Sequence, residues 1–149
     1  MPISECCNLG VVCCGPGASL PEVAALMRRH HVGDVVVVEQ KDEARMPIGV
    51  VTDRDIVIET LALGLDANVF TAGDIMSTPV VAIQENADLI ETLRRMRSHK
   101  IRRMPVLKAD GSLFGIVTSD DIINMLSMEL SLMTGVIVEQ PNIEAKTHR

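Results

Sequence analysis

Apolar positions in the first half of the chain follow two periods. Three short apolar runs predict buried strands, because they are bounded by turn residues and rich in Val. These runs are "LGVVCC" (9–14), "DVVVVE" (34–39) and "PIGVV" (47–51). Helical spacing predicts a helix from Ser19 to about His31, opened by the capping box Ser19-x-x-Glu22. A second helix follows the third strand and is expected to end near Gly64.

The second half shows the same order of elements. Its predicted strands are "PVVAI" (79–83), "RMPVL" (103–107) and "LFGIV" (113–117). Its predicted helices run from Asp88 to about His99 and from about Ser119 to Met133. The last helix carries more apolar residues than one buried stripe needs, which indicates core packing together with a helix–helix dimer face.

The two halves are copies of one unit. "GVVTDRDIV" (49–57) and "GIVTSDDII" (115–123) share five of nine positions at a spacing of 66, and upstream a shift of 69 aligns Met27 with Met96. Each half alone would have a marginal core. We therefore predict an α/β (α+β) fold of two pseudo-symmetric β-α-β-β-α repeats packed through their sheets. The expected segments are 1–68 (first repeat with linker), 69–135 (second repeat) and 136–149 (polar C-terminal tail).

The repeated phrase contains Thr-x-x-Asp, which has two interpretations. Ser/Thr-x-x-Asp/Glu before an apolar helix is a helix-capping pattern, and it starts here at Ser19, Thr52, Thr71 and Thr118. A strand that turns into a helix is also suited to bind anions. There a Thr hydroxyl can hold a phosphate, an Asp can accept both ribose hydroxyl protons, and the preceding Gly permits close approach. Capping and nucleotide binding do not exclude each other.

The doubled Gly-h-h-Thr-x-x-Asp-h-h (h, apolar), with "DIMSTPVVAI" (74–83) and "IRRMPVL" (101–107), resembles a tandem CBS-domain (cystathionine beta-synthase domain) pair over residues 5–133. The resemblance implies an adenosine ligand bound between the repeats, a non-catalytic regulatory role toward an unknown target protein, and assembly as a homodimer. Possible ligands are AMP, ADP, ATP, NAD and S-adenosylmethionine. AMP is the first expectation, because the basic group is compact.

The resemblance also implies which residues bind the ligand. Thr52 and Asp55 would hold phosphate and ribose, and the other repeat would supply the rest of the site. Those residues are Thr78, Pro79, Val80, His99, Lys100, Arg102, Arg103, Met104 and Pro105. For His99 and Lys100, the cations of a solvated helix end are an equal alternative.

A second, weaker site is expected at Thr118 and Asp121. The residues opposite them include Gly33 and Asp34, where the first cleft has two Arg and a Pro. A carboxylate near a phosphate site lowers its affinity for phosphate. The sequence therefore predicts that the Thr52 cleft binds nucleotide more tightly than the Thr118 cleft.

Composition narrows the choice of partners. The net charge is −6, and the only aromatic residues are two Phe, which argues against nucleic acid and against an anionic membrane surface. No apolar run reaches the length of a membrane span, and no signal peptide is recognised, so a cytoplasmic location is expected. No spacing indicates a metal site or a catalytic nucleophile.

The four cysteines form adjacent pairs, Cys6–Cys7 and Cys13–Cys14. They fall opposite apolar residues of the second repeat, so they are interpreted as small apolar fillers. Two alternatives to the nucleotide sensor remain open: an interaction scaffold without ligand, and a thiol-based redox sensor that uses these cysteines.

Overall fold

The computed structural model describes the backbone of residues 1–147 and the side chains of residues 1–137. The first repeat contains β1 (Cys13–Cys14), α1 (Leu20–His30), β2 (Asp34–Lys41), β3 (Ala44–Thr52) and α2 (Asp53–Glu59). The connection contains α3 (Ala72–Ile75). The second repeat contains β4 (Ile83–Gln84), α4 (Leu89–His99), β5 (Arg103–Leu107), β6 (Leu113–Thr118) and α5 (Ser119–Thr147). The predicted mixed fold of two pseudo-symmetric repeats is confirmed.

Each repeat builds its own three-stranded sheet, with the same order and directions. β1 pairs parallel to β2, and β2 pairs antiparallel to β3; β4, β5 and β6 repeat this arrangement. The sheets meet through β3 and β6. The middle strand of the first sheet buries Val35, Val36 and Val37 completely, because both of its faces are covered.

The first strand of each repeat is shorter than predicted, and a residue upstream of it pairs with the other repeat. The backbone N–H of Asn8 donates to Ile116 O at 2.8 Å, and the N–H of Ile116 donates back to Asn8 O at 2.9 Å. In the second repeat, the N–H of Ser77 donates to Val50 O at 2.9 Å. We call residues 1–8 and 71–77 the crossing segments.

The crossing segments also exchange apolar side chains between the repeats. Ile3 is 1% exposed and belongs to the core of the second repeat, together with Met96 and Met104. Ala72 is fully buried in the core of the first repeat, beside Val23. Each core therefore contains residues that the sequence assigns to the other copy.

Gly49 and Gly115 lie where the crossing segments contact β3 and β6. A Cβ at Gly115 would lie 2.8 Å from Asn8 O, and a Cβ at Gly49 would lie 2.9 Å from Ser77 O. Glycine at these two positions was expected to permit close approach at the nucleotide site. In the structure it is the backbone of the other repeat that approaches them.

Helix boundaries agree with the sequence except at the ends of α2 and α5. The helix α2 ends at Glu59, and a separate 3-10 turn, Leu61–Leu63, reaches Gly64, which has the expected left-handed conformation. The capping boxes at Ser19, Thr52 and Thr71 are formed, and Thr118 makes the same pair of hydrogen bonds. The expected end of α5 near Met133 is wrong, because the helix continues to Thr147 through residues 136–147 of the expected tail. Gly135 lacks the positive φ that ends helices, so it weakens the helix without ending it. Residues 148–149 lie outside the described residues.

Candidate functional site

The Thr52 motif caps α2 through two reciprocal hydrogen bonds. The N–H of Asp55 donates to Thr52 Oγ1 at 3.1 Å, and the N–H of Thr52 donates to Asp55 Oδ2 at 2.9 Å. Both residues are half-buried. The capping interpretation is therefore confirmed, while Thr52 Oγ1 still has a second lone pair and Asp55 still has its Oδ1 atom for a ligand.

A cavity of about 320 Å³ opens beside this cap. We call it the Thr52 cavity. Its lining residues come from the end of β3 and the start of α2, from the second crossing segment and the residues after it, and from the start of β5. They are Val50, Thr52, Asp53, Arg54, Ser77, Pro79, Val80, Val81, Lys100, Ile101, Arg102 and Arg103. Both repeats therefore contribute to its walls.

Six of the predicted residues line this cavity: Thr52, Pro79, Val80, Lys100, Arg102 and Arg103. Asp55 is not part of the lining, but it follows the lining residue Arg54 in the first turn of α2 and is hydrogen-bonded to Thr52. Met104 is fully buried in the core of the second repeat, and Pro105 is buried beside it in β5. Both side chains are buried and lie outside the lining of the cavity, so their expected contact with a ligand stays a prediction.

Two further predicted residues, Thr78 and His99, are exposed and lie outside the lining. His99 Nδ1 is 3.0 Å from Arg95 O and 3.1 Å from Ser98 Oγ, on the surface of the last turn of α4. The helix-end alternative therefore describes His99 in this structure. Lys100, the next residue, has a left-handed backbone conformation at the C-cap and does line the cavity.

Sequence reasoning missed six lining residues: Val50, Asp53, Arg54, Ser77, Val81 and Ile101. Arg54 carried a usable signal, since it is a cation inside the repeated Thr-x-x-Asp phrase. Ser77 had none, because its position depends on the crossing of the second segment onto Val50.

The second cleft is divided between two smaller cavities. One of about 240 Å³ contacts Gly33, Asp34 and Thr118, and one of about 150 Å³ contacts Asp34, Thr118 and Asp121. All four residues predicted for the second site thus lie together. Gly33 leaves room for the Asp53 carboxylate, because a Cβ there would lie 3.0 Å from Asp53 Oδ2.

Arg103 forms an ion pair with Asp34, and the pair separates the two clefts. Arg103 Nη1 donates to Asp34 Oδ1 at 2.7 Å. Burial is the main influence on the Asp34 carboxyl and raises its pKa above the ordinary value, although Arg103 acts in the opposite direction. Arg102 and Arg103 were both expected to serve the Thr52 cleft alone, whereas each of them also lines the larger cavity of the second cleft.

The cysteines have environments that favour the neutral thiol. Burial raises the pKa of all four, and it raises the pKa of Cys14 to about 11. Cys6 and Cys7 pack against the core of the second repeat and Cys14 against that of the first, in agreement with apolar filling. The thiolate is the reactive form, so these environments disfavour oxidant sensing.

The part of the chain that the structure describes contains neither a candidate metal site nor a candidate membrane span. There, no three His, Cys, Asp or Glu residues come together in a way that would hold a metal ion. None of the helices within residues 1–147 combines the length and the apolar character needed to cross a bilayer.

Comparison with known proteins gives a family match and several relatives. The model of the CBS domain matches residues 3–61 and 72–128. An uncharacterized protein of Methanopyrus kandleri is 37% identical over 123 residues, which cover 83% of this chain but only 61% of that protein. Hypoxic response protein 1 of Mycobacterium tuberculosis is 40% identical over 115 residues, covering 77% of this chain and 78% of that protein.

Solved structures give the same match. The crystal structure of Hypoxic Response Protein I with two coordinated zinc ions aligns with a TM-score of 0.73 at 37% identity, covering 84% of this chain and 98% of that one. A CBS domain protein from Pyrobaculum aerophilum complexed with AMP aligns with a TM-score of 0.77 at 25% identity, covering 90% of this chain and 99% of that one.

Proposed function

The chain belongs to the CBS-domain family, as a pair of CBS repeats, and from that premise we propose that it is a regulatory module that senses an adenine nucleotide, AMP first, in the Thr52 cavity. The relative from Pyrobaculum aerophilum, which was solved with AMP, supports this choice of ligand. The proposed role is regulatory and not catalytic, with the signal passed to a partner protein.

The charge of the Thr52 cavity carries the proposal. Four cations, Arg54, Lys100, Arg102 and Arg103, line the cavity together with one carboxylate, Asp53. The whole chain has the opposite balance, with a net charge of −6. A concentration of positive charge in a cleft of an acidic protein favours an anionic ligand, since the cleft focuses the field.

The walls of the cavity also suit the two other parts of a nucleotide. Its apolar side chains, which can cover a base, are Val50, Pro79, Val80, Val81 and Ile101. Thr52 Oγ1 and the Oδ1 atom of Asp55 are the acceptors proposed for the ribose hydroxyls, because Asp55 Oδ2 already accepts from the Thr52 N–H. The cations then take the phosphate. Apolar walls with a few polar groups are typical of ligand sites.

The volume favours a small nucleotide. Ligand pockets range over roughly 300–1,000 Å³, and the Thr52 cavity is about 320 Å³. A mononucleotide therefore fits this cavity better than a dinucleotide such as NAD. We propose that the Thr118 cleft binds weakly or not at all, because its space is divided and it contains the half-buried carboxylate of Asp34.

A thermal-shift and calorimetry panel tests this function. AMP, adenosine, ADP, ATP, NAD and S-adenosylmethionine are each added to the wild type, Asp55→Ala and its matched control Asp121→Ala. AMP at 100 times its dissociation constant should stabilise the wild type by about 2.7 kcal/mol. The response should be lost in Asp55→Ala and kept in Asp121→Ala. The reverse pattern would place the nucleotide in the other cleft.

One observation favours a second candidate, an interaction scaffold that works as a homodimer without ligand. Large apolar side chains on the described part of α5 are exposed, namely Ile123, Leu126, Met128, Leu130, Leu132, Met133, Val136 and Ile137. We propose that a second copy of the chain covers these side chains, whether the protein acts as a nucleotide sensor or as a scaffold without ligand. Light scattering on the wild type and Leu130→Glu tests the dimer; no thermal shift with any adenosine compound would favour the scaffold.

A further inference from the structure

Asp34 and Arg103 occupy equivalent positions of the two repeats. Asp34 is the first residue of β2, and Arg103 is the first residue of β5. Their contact therefore crosses the pseudo-twofold axis and joins a position to its own counterpart. The two repeats keep the same backbone there, but one supplies a carboxylate and the other a guanidinium.

The two partners depend on the contact to different degrees. The side chain of Asp34 is only 14% exposed, whereas that of Arg103 is 36% exposed. The carboxylate has little water to replace its partner, while the guanidinium keeps contact with solvent and with the Thr52 cavity. Asp53 is a second carboxylate nearby, because a Cβ at Gly33 would lie 3.0 Å from its Oδ2 and 3.4 Å from Arg103 Nη1.

A phosphate in the Thr52 cavity would meet an Arg103 that is already engaged. Asp34 occupies the Nη1 donor of Arg103 and neutralises part of the guanidinium charge, so a phosphate that approaches this N–H must displace the carboxylate. The free energy that Arg103 gains by binding the phosphate is therefore reduced by the free energy lost from its contact with Asp34. A neutral ligand such as adenosine does not compete for Arg103.

We propose that Asp34 competes with the ligand phosphate for Arg103 and thereby sets how strongly the Thr52 cavity prefers AMP to adenosine. This inference rests on the proposed function and names the residue that regulates its charge selectivity. Once Arg103 turns to a phosphate, Asp34 contributes an uncompensated negative charge to the second cleft. Occupancy of the first cleft then disfavours an anion in the second, and the coupling is reciprocal.

The test measures dissociation constants of AMP and adenosine by calorimetry, and takes their ratio as the readout. Asp34→Asn keeps the shape of the side chain and removes its charge, so the preference for AMP should rise roughly tenfold. Asp120→Asn is the matched control, because Asp120 lines the same cavity of the second cleft as Asp34 and Arg103, lies outside the lining of the Thr52 cavity and makes no hydrogen bond to Arg103. Its effect on the ratio should be clearly smaller.

The Arg103→Gln background separates competition from a general change of charge. There, Asp34→Asn should alter the ratio by less than about twofold, because the group for which the two anions compete is gone. Arg103→Gln alone should lower the preference for AMP over adenosine. This variant tests whether Arg103 binds the phosphate even if Asp34→Asn does not fold.

Three results would overturn the inference while leaving the proposed function in place. They are an unchanged ratio in Asp34→Asn, an equal rise in Asp120→Asn, and a tenfold rise that persists without Arg103. Absence of AMP and adenosine binding to the wild type would instead refute the proposed site, and the inference with it.

Discussion

Gly115→Ala should destabilise the protein, because the first crossing segment lies against this glycine. The new Cβ would lie 2.8 Å from Asn8 O and 3.0 Å from Cys7 Sγ. The first of these atoms belongs to the backbone and is held by two hydrogen bonds between Asn8 and Ile116. The clash can be relieved only if the segment moves, and overpacking of this kind costs about 1–3 kcal/mol.

Gly17→Ala is the matched control for this change. No atom lies within 4 Å of a Cβ at Gly17, and the residue has no positive φ. Any Gly→Ala change also stabilises by about 0.4–1 kcal/mol through the unfolded chain. That contribution is common to both variants, so the difference between them isolates the clash.

The measurement is urea unfolding of both variants, supported by thermal melting. Gly115→Ala should be less stable than Gly17→Ala by about 1–3 kcal/mol, with a melting temperature lower by about 2–4 °C per kcal/mol. Amide hydrogen exchange at Asn8 and Ile116 should accelerate in Gly115→Ala alone. Equal stability of the two variants would show that residues 1–8 do not pack against β6, and it would refute the crossing arrangement.

Three further predictions follow from the caps and the titratable groups. Thr52→Ala and Thr118→Ala should each lower the free energy of unfolding by about 0.5–2 kcal/mol in urea titrations, since each removes a helix cap. Only Thr52→Ala should also weaken AMP binding in calorimetry. Equal losses of AMP affinity in the two variants would contradict the assignment of the nucleotide to the Thr52 cavity. Burial raises the pKa of Cys14 from 9.0 to about 11. The neutral thiol therefore contributes its full stabilisation below pH 9.0, and this contribution is lost as the pH rises toward 11. Between about pH 8 and pH 10.5, the free energy of unfolding measured in urea should fall less in Cys14→Ala than in the wild type. Burial raises the pKa of Asp34, so ionisation of this carboxyl opposes folding. As the pH rises from about 3 to 6, the wild type should lose stability relative to Asp34→Asn in urea unfolding. A gain in the relative stability of the wild type would mean that the ion pair with Arg103 outweighs the cost of burial.

The sequence predicted what depends on local pattern. Strand and helix positions follow from apolar spacing, and Thr-x-x-Asp predicted the caps because both partners lie within one helical turn. The asymmetry between Asp34 and Arg103 was also visible, since the repeat aligns the two positions. The sequence therefore predicted that the Thr52 cleft carries more cations than the Thr118 cleft. That a nucleotide prefers the Thr52 cleft is still a prediction.

What the sequence could not predict depends on contacts between distant residues. The pairing of Asn8 with Ile116 joins the two ends of the fold, and no local pattern distinguishes it from pairing within a repeat. Gly49 and Gly115 carried a correct signal of close approach, but the approaching group was the chain itself. Met104 was assigned to the ligand by resemblance alone, whereas the alternation along β5 places its side chain in the core.

The crossing segments constrain the order in which the chain can fold during its synthesis. Residues 1–8 leave the ribosome more than a hundred residues before Ile116, the pairing partner of Asn8, so they must wait for β6 without this contact. The first sheet has a shorter delay, because residues 71–77 follow soon after β3. Folding of the first repeat is thus completed by residues 71–77, which are made after it, and folding of the second is completed by residues 1–8, which are made before it.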